Sequence, residues 1–112
     1  MRAPVLNRKL YLETPLRVAD GAGGITENWV VEGQLWAEIR SGSGREVRDL
    51  AGTTAVNTVR VYVRAAADNS PARPHPSQRF RIGDRIFCIV AVSEAETRGR
   101  YLLCHAKEER LI

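Results

Sequence analysis

Soft metal ligands are scarce in this chain of 112 residues, which has two cysteines, two histidines and one methionine. Cys88, Cys104 and His105 show no Cys-x-x-Cys spacing, and adjacent residues on a strand point to opposite faces. No metal site is therefore expected. A Cys88–Cys104 disulfide is geometrically conceivable, but thiols in a reducing compartment stay reduced and pack as small hydrophobes, so two buried thiols are expected. No stretch approaches about 18 apolar residues, which excludes a membrane-spanning helix. Met1 to Tyr11 carries charge at positions 2, 8 and 9 without an apolar core, so no secretory leader is expected. Lysine is nearly missing: Lys9 and Lys107 are the only two among 17 basic residues. The charges are interleaved with 13 acids and form no run of five, so the net charge of +4 makes no basic tail. Arginine dominance suits planar pairing with carboxylate or phosphate at interfaces. Catalytic machinery is missing too. The serines lie in loops, and neither His75 nor His105 has an identifiable carboxylate to orient it. Gly21–Gly24, Gly42 and Gly44 lack the Lys-Ser/Thr continuation of a phosphate cradle. No catalytic, cofactor-binding or metal-ligating residue is expected, and the chain does not read as an enzyme.

What is present is alternation. Arg8 to Leu16 places Leu10, Leu12 and Leu16 on one face and Tyr11 and Glu13 on the other. Asp20 to Gly24 is a turn, Ile25 to Val31 a second strand anchored by Trp29, and Glu32-Gly33 a kink or bulge before a strand from Leu35 to Arg40. Thr58 to Arg64 alternates around Val59, Val61 and Val63. The pattern predicts a single all-β domain, a small antiparallel barrel. Pro71, Pro74 and Pro76 make 65–79 an exposed, semi-extended loop, with His75 a solvated loop residue.

Between two of these strands lie seventeen residues, Ser41 to Asn57. Inserts beyond about 12–15 residues in a small domain tend to carry function. Ser43 and Glu46 have capping-box spacing, Val47, Leu50 and Ala51 recur at helical spacing, and Arg45 and Asp49 can pair at i,i+4. The insert thus predicts a short helix of about two turns after a glycine-rich start. The last third predicts a hairpin of Arg85–Val92 with Tyr101–Lys107. Centred on position 96, it sets Cys88 opposite Cys104 and Val90 opposite Leu102. Phe87, Ile89, Tyr101 and Leu103 then form a second apolar face, which needs cover from another copy.

The order Gly23-Gly24-Ile-Thr-Glu-Asn-Trp29, Leu35-Trp-Ala-Glu-Ile-Arg40, Gly44-Arg45-Glu46 and Val59-Arg-Val-Tyr-Val-Arg64 resembles the phage head–tail joining proteins. So does the finish, Gly83-Asp-Arg-Ile-Phe-Cys-Ile-Val-Ala-Val92 followed by Arg98-Gly-Arg-Tyr-Leu-Leu103. These head-completion or stopper proteins occur in long-tailed phages and gene transfer agents, and the likeness runs over about residues 8 to 108. It implies a β-barrel that assembles as a ring of six or twelve copies in the neck of a particle assembled in the bacterial cytoplasm. The implied partners are a portal-adaptor protein on the head side, a tail terminator or tail protein on the other, and double-stranded DNA passing through non-specifically. No membrane is involved. The long inter-strand loop would line or close the channel, with Arg40, Ser43, Gly44, Arg45, Glu46, Arg48 and Asp49 as its channel or partner residues. The competing reading is a small-barrel module for single-stranded nucleic acid, for which Tyr62 between Arg60 and Arg64 is the one aromatic platform.

Overall fold

Six antiparallel strands follow one another along the chain: β1 (Arg8–Ala19), β2 (Ile25–Asp49), β3 (Gly52–Arg64), β4 (Arg79–Ile82), β5 (Arg85–Glu94) and β6 (Tyr101–Leu111). The computed structural model describes residues 2–49 and 52–111, and their side chains except at 43–49, 52–56 and 109–111. The sheet closes on itself in the order β1-β2-β3-β6-β5-β4. Leu10 and Leu12, Ala37, Val59, Val61 and Val63, Phe80, Phe87 and Ile89, and Leu102, Cys104 and Ala106 fill its interior. These are the inward positions of alternating strands, so the expected small barrel is what forms.

The strands alternate up and down, and four residues suffice for β4 to complete the circuit. It pairs with β1 at Tyr11↔Arg81, Leu12↔Phe80 and Glu13↔Arg79, and with β5 from Arg79↔Cys88 to Ile82↔Arg85. The β1–β2 register shifts between Leu12↔Gly33 and Glu13↔Val31, leaving Glu32 as the extra residue of a bulge where the Glu32-Gly33 kink was expected. Above it, residues 14–19 pair only with 25–30 and form a two-stranded ribbon. The Asp20 carboxylate closes its tip by accepting hydrogen bonds from the N–H groups of Ala22 (2.8 Å) and Gly24 (3.0 Å). Gly21 and Gly23 adopt φ of +79° and +86°, which glycine takes without penalty. Leu16, expected on the core face, holds that phase but lies above the barrel and is half exposed.

The predicted helix over the insert does not form, and among the described residues there is none. Residues 44–49 and 52–57 instead pair as the end of the β2–β3 hairpin, from Gly44↔Asn57 to Asp49↔Gly52. Leu50 and Ala51 lie outside the described residues. Tertiary pairing overrides the local signal: residues 54–59 of β3 also pair with 106–111 of β6, so the arm is three strands wide. A lone two-turn helix is marginal, whereas β-branched Thr54, Val56 and Thr58 suit a strand held on both sides. The glycine-rich start is a bulge between Ser41 and Gly44, where a Cβ on Gly42 would lie 2.6 Å from the Thr58 carbonyl oxygen.

The last hairpin has a different register from the expected one. Ile89 pairs with Ala106 and Val92 with Cys104, with an irregularity between Ile89 and Ala91. The connection is centred nearer position 98, because Glu94 still pairs with Leu102. Val90, the extra residue, is 52% exposed, and its bulge switches the inward phase from Phe87 and Ile89 to Val92. Phe87 and Ile89 are thus core residues and not an outer interface. Cys88 is exposed opposite Lys107 while Cys104 is buried, which corrects the expectation of two buried thiols. The proline-rich segment is also tied down more firmly than expected. Pro74 is fully buried, and the backbone of Ser77 and Gln78 bonds to that of Ile89. His75 is exposed, as read from the sequence.

Phe80 is the inward residue of the shortest strand and is fully buried. Phe80→Ala should cost about 3–5 kcal/mol in urea titration, more than its single position in a four-residue strand suggests.

Candidate functional site

On the outer side of the closing seam, Glu13 lies across from Arg79 and diagonally from Arg81, two residues further along β4. Arg79 Nε donates to Glu13 Oε1 at 2.7 Å, and Arg81 Nε donates to Oε2 at 2.9 Å. The Arg79 guanidinium stacks 4.0 Å from the Trp29 ring centroid and that of Arg81 stacks 4.8 Å from Tyr11. Glu13 is 4% exposed although it faces outward, because the two arginines cover it. Burial pushes its carboxyl up, and the hydrogen bonds from Arg81 and Arg79 then pull it below its ordinary value. Gln78 Nε2 donates to Thr14 Oγ1 at 2.8 Å, joining the loop to the ribbon's base.

Two further clusters secure the lower end. Glu108 shares the inward phase of Phe87 and receives two bonds from Arg85, at 2.9 and 3.1 Å, a bidentate pair at the barrel's mouth. Glu38 collects Arg40 Nε, Arg2 Nη2 at 3.3 Å and the Val5 N–H at 2.6 Å, which fastens the N-terminal segment to β2. The bonds from Arg40 and Val5 hold its carboxyl below the usual range. Arg40 also stacks 4.4 Å from the Tyr62 ring, leaving Tyr62 only 5% exposed. The platform needed by the single-strand-binding reading is therefore covered.

Arg40, named among the channel residues, is thus engaged on the barrel wall. Ser43, Gly44, Arg45, Glu46, Arg48 and Asp49 lie on the backbone of the β2 arm, and their side chains are outside those described. Tyr101 and Leu103 are half-buried on the outer face of β6. The sequence reading missed Glu13, Arg79, Arg81, Arg85 and Glu108, although Arg79-Phe80-Arg81 already has the alternation of a strand with a charged outer face. The carboxylates bonded in this way are committed to the chain's own arginines. Burial pushes the Cys104 thiol up to about 12, far from nucleophilic at neutral pH. Among the described residues no three His, Cys, Asp or Glu side chains gather into a metal site. The arrangement is mechanical: a closed, internally bonded wall carrying two arms at opposite ends.

Residues 1–109 match the family model of the phage head completion protein. The chain belongs to that family. It is similar at 47% identity, with a TM-score of 0.89, to a chain in the solved virion of a native gene transfer agent particle, over 98% of this chain and all of that one. No curated protein matches it. Membership makes this a structural virion protein of head–tail joining and not an enzyme, which agrees with the sequence reading.

A carboxyl held below its ordinary value contributes stability above its unfolded pKa, near 4.3, that is lost as pH falls through the folded value. Glu13→Gln should cost about 1–3 kcal/mol at pH 7, since the two arginines are themselves partly exposed. Urea titrations from pH 7 to pH 3 should also show a shallower acid loss in this variant than in the parent.

Proposed function

We propose that this head completion protein is a ring-forming neck subunit, seated between the portal-adaptor complex and the tail, whose β2–β3 arm lines or closes the DNA channel. The observation that carries the reading is the position of the two arms. The 14–30 ribbon and the 41–58 arm leave opposite ends of one barrel, as a subunit that contacts a layer above and a layer below requires. The gene transfer agent relative, similar over its whole length, supports placement in a particle of that kind.

In this reading the barrel is a rigid mount, since its seam and lower mouth are fixed by ion pairs as well as by core packing. The arm is the inserted element, with Arg45 and Arg48 as its residues for DNA phosphate. Neighbouring copies, six or twelve to a ring, bury the outer apolar strip of Tyr101, Leu103 and Val90 against one another. Head-to-tail contacts that close in this way produce a ring, whereas non-closing ones would give filaments.

The test is to replace residues 45–56 by an Asn-Gly turn between the paired Gly44 and Asn57, leaving the barrel whole. Particles carrying this protein should still fill, but should lose DNA or fail to join tails, with the titre of transducing or infectious particles down at least about tenfold. An unchanged titre would remove the arm from the mechanism.

A further inference from the structure

Above the level at which β4 closes the barrel, strand edges are left open. β4 covers β5 from Arg85 to Cys88, and the backbone of Ser77 and Gln78 covers Ile89. Among the described residues no backbone bond reaches 90–94 of β5 from that side. β3 meets β2 only from Ala37 onward, so 30–36 of β2 are open on that side. The third open edge, 14–19 of β1, carries Pro15 and Arg17, and proline and charge are the usual guards of an edge. The β2 and β5 edges have no proline.

These two edges fit each other. In the closed order β1-β2-β3-β6-β5-β4 they belong to strands on opposite sides of the barrel, and both face round the sheet in the same sense. Two barrels standing side by side therefore turn them toward one another. Directions alternate round the sheet, so β2 and β5 run oppositely and meet antiparallel. The backbone phase also agrees. Ala95 N–H donates to the Tyr101 carbonyl and Ala65 N–H to the Arg100 carbonyl, both at 2.9 Å. Such groups alternate along an antiparallel ladder. Val92 and Glu94 therefore turn N–H and C=O away from β6, and Gln34 turns its own away from β1. Across such a join the outside of one barrel wall continues as the inside of the next. Gln34 has the outward phase beside Leu35, while Val92 and Glu94 have the inward phase opposite Cys104 and Leu102. A groove of about 500 Å³, lined by Leu6, Gln34, Leu35, Trp36 and Arg64, runs beside the β2 edge.

We infer that the 30–36 edge of β2 pairs with the 90–94 edge of β5 in a second copy of the chain, so that one sheet runs from barrel to barrel. Open edges are templates for this kind of strand addition. The inference rests on the ring reading and names the contact that closes the ring. Two different edges meet, which is the heterologous contact a ring requires. The joined sheet sets Val30 and Leu35 of one copy on the same face as Tyr101 and Leu103 of the next.

The experiment is cysteine cross-linking in assembled particles, with Cys88→Ser removing the exposed native thiol. Gln34→Cys/Glu94→Cys particles are treated with a bismaleimide spanning about 8 Å, the reach of direct and diagonal cross-strand neighbours. A denaturing gel should show a ladder of multiples of the chain, and each single variant should stay in the monomer band. Images of the neck in the same particles count the copies independently, and matching melting curves of the purified variants show that they fold. A ring without the ladder leaves the ring reading standing and overturns the edge pairing. A neck layer with no ring removes that reading and the inference with it. Cross-links from either single variant, or to a different particle protein, would give the edges to another contact and overturn the inference as well.

Discussion

The structure depends on a seam three residue pairs long. A sheet of five strands would leave β1 and β5 as open edges, and β4 removes both with four residues. Phe80 seals the inner side of that seam by burial, and Glu13 clasps it from outside by holding Arg79 and Arg81 together. The two contributions differ in kind. The first is apolar area removed from water. The second is a charge-assisted pair that costs desolvation, and it succeeds because both carboxylate oxygens are bonded. Closure makes a wall stiff enough to carry arms that no core of their own supports.

That division of labour explains where the polar bonds lie. Ion pairs are concentrated at the seam, at the Arg85–Glu108 mouth and around Glu38, where the barrel or its N-terminal segment would otherwise gape. The upper ribbon has fewer such devices, and Leu16, Val18, Ile25, Val30 and Val31 are exposed along it. A two-stranded ribbon with apolar side chains in water is marginal by itself. Its partner in a neck would be a neighbouring layer, in keeping with a protein whose task is to join parts.

Most of the fold was legible in the sequence because half-buried strands write their phase into the chain. The Leu10–Leu12, Val59–Val63 and Leu102–Ala106 alternations, the Asp20–Gly24 turn and the Glu32-Gly33 bulge all lie where the pattern puts them. Register was harder. One extra residue at Val90 exchanges the faces of β5, and nothing local in Ile89-Val90-Ala91 marks it as a bulge. The 43–52 stretch misled for a related reason: Ser43 to Glu46 and Val47 to Ala51 carry genuine helical spacing, and the pairing of residues 44–49 with β3, itself bonded to β6 on its other side, prevailed over it. The Glu13 clasp escaped because it joins residues more than sixty apart, which no window of sequence brings together.

Native-state hydrogen exchange tests the seam most directly. The account predicts that the Leu12, Phe80 and Phe87 amides exchange only through global unfolding, as slowly as those of Val61 and Cys104, while residues 16–19 and 25–28 exchange much faster. Exchange at the β1–β4 seam as fast as in the ribbon would mean that the barrel opens there in solution, and the rigid mount would be lost with it.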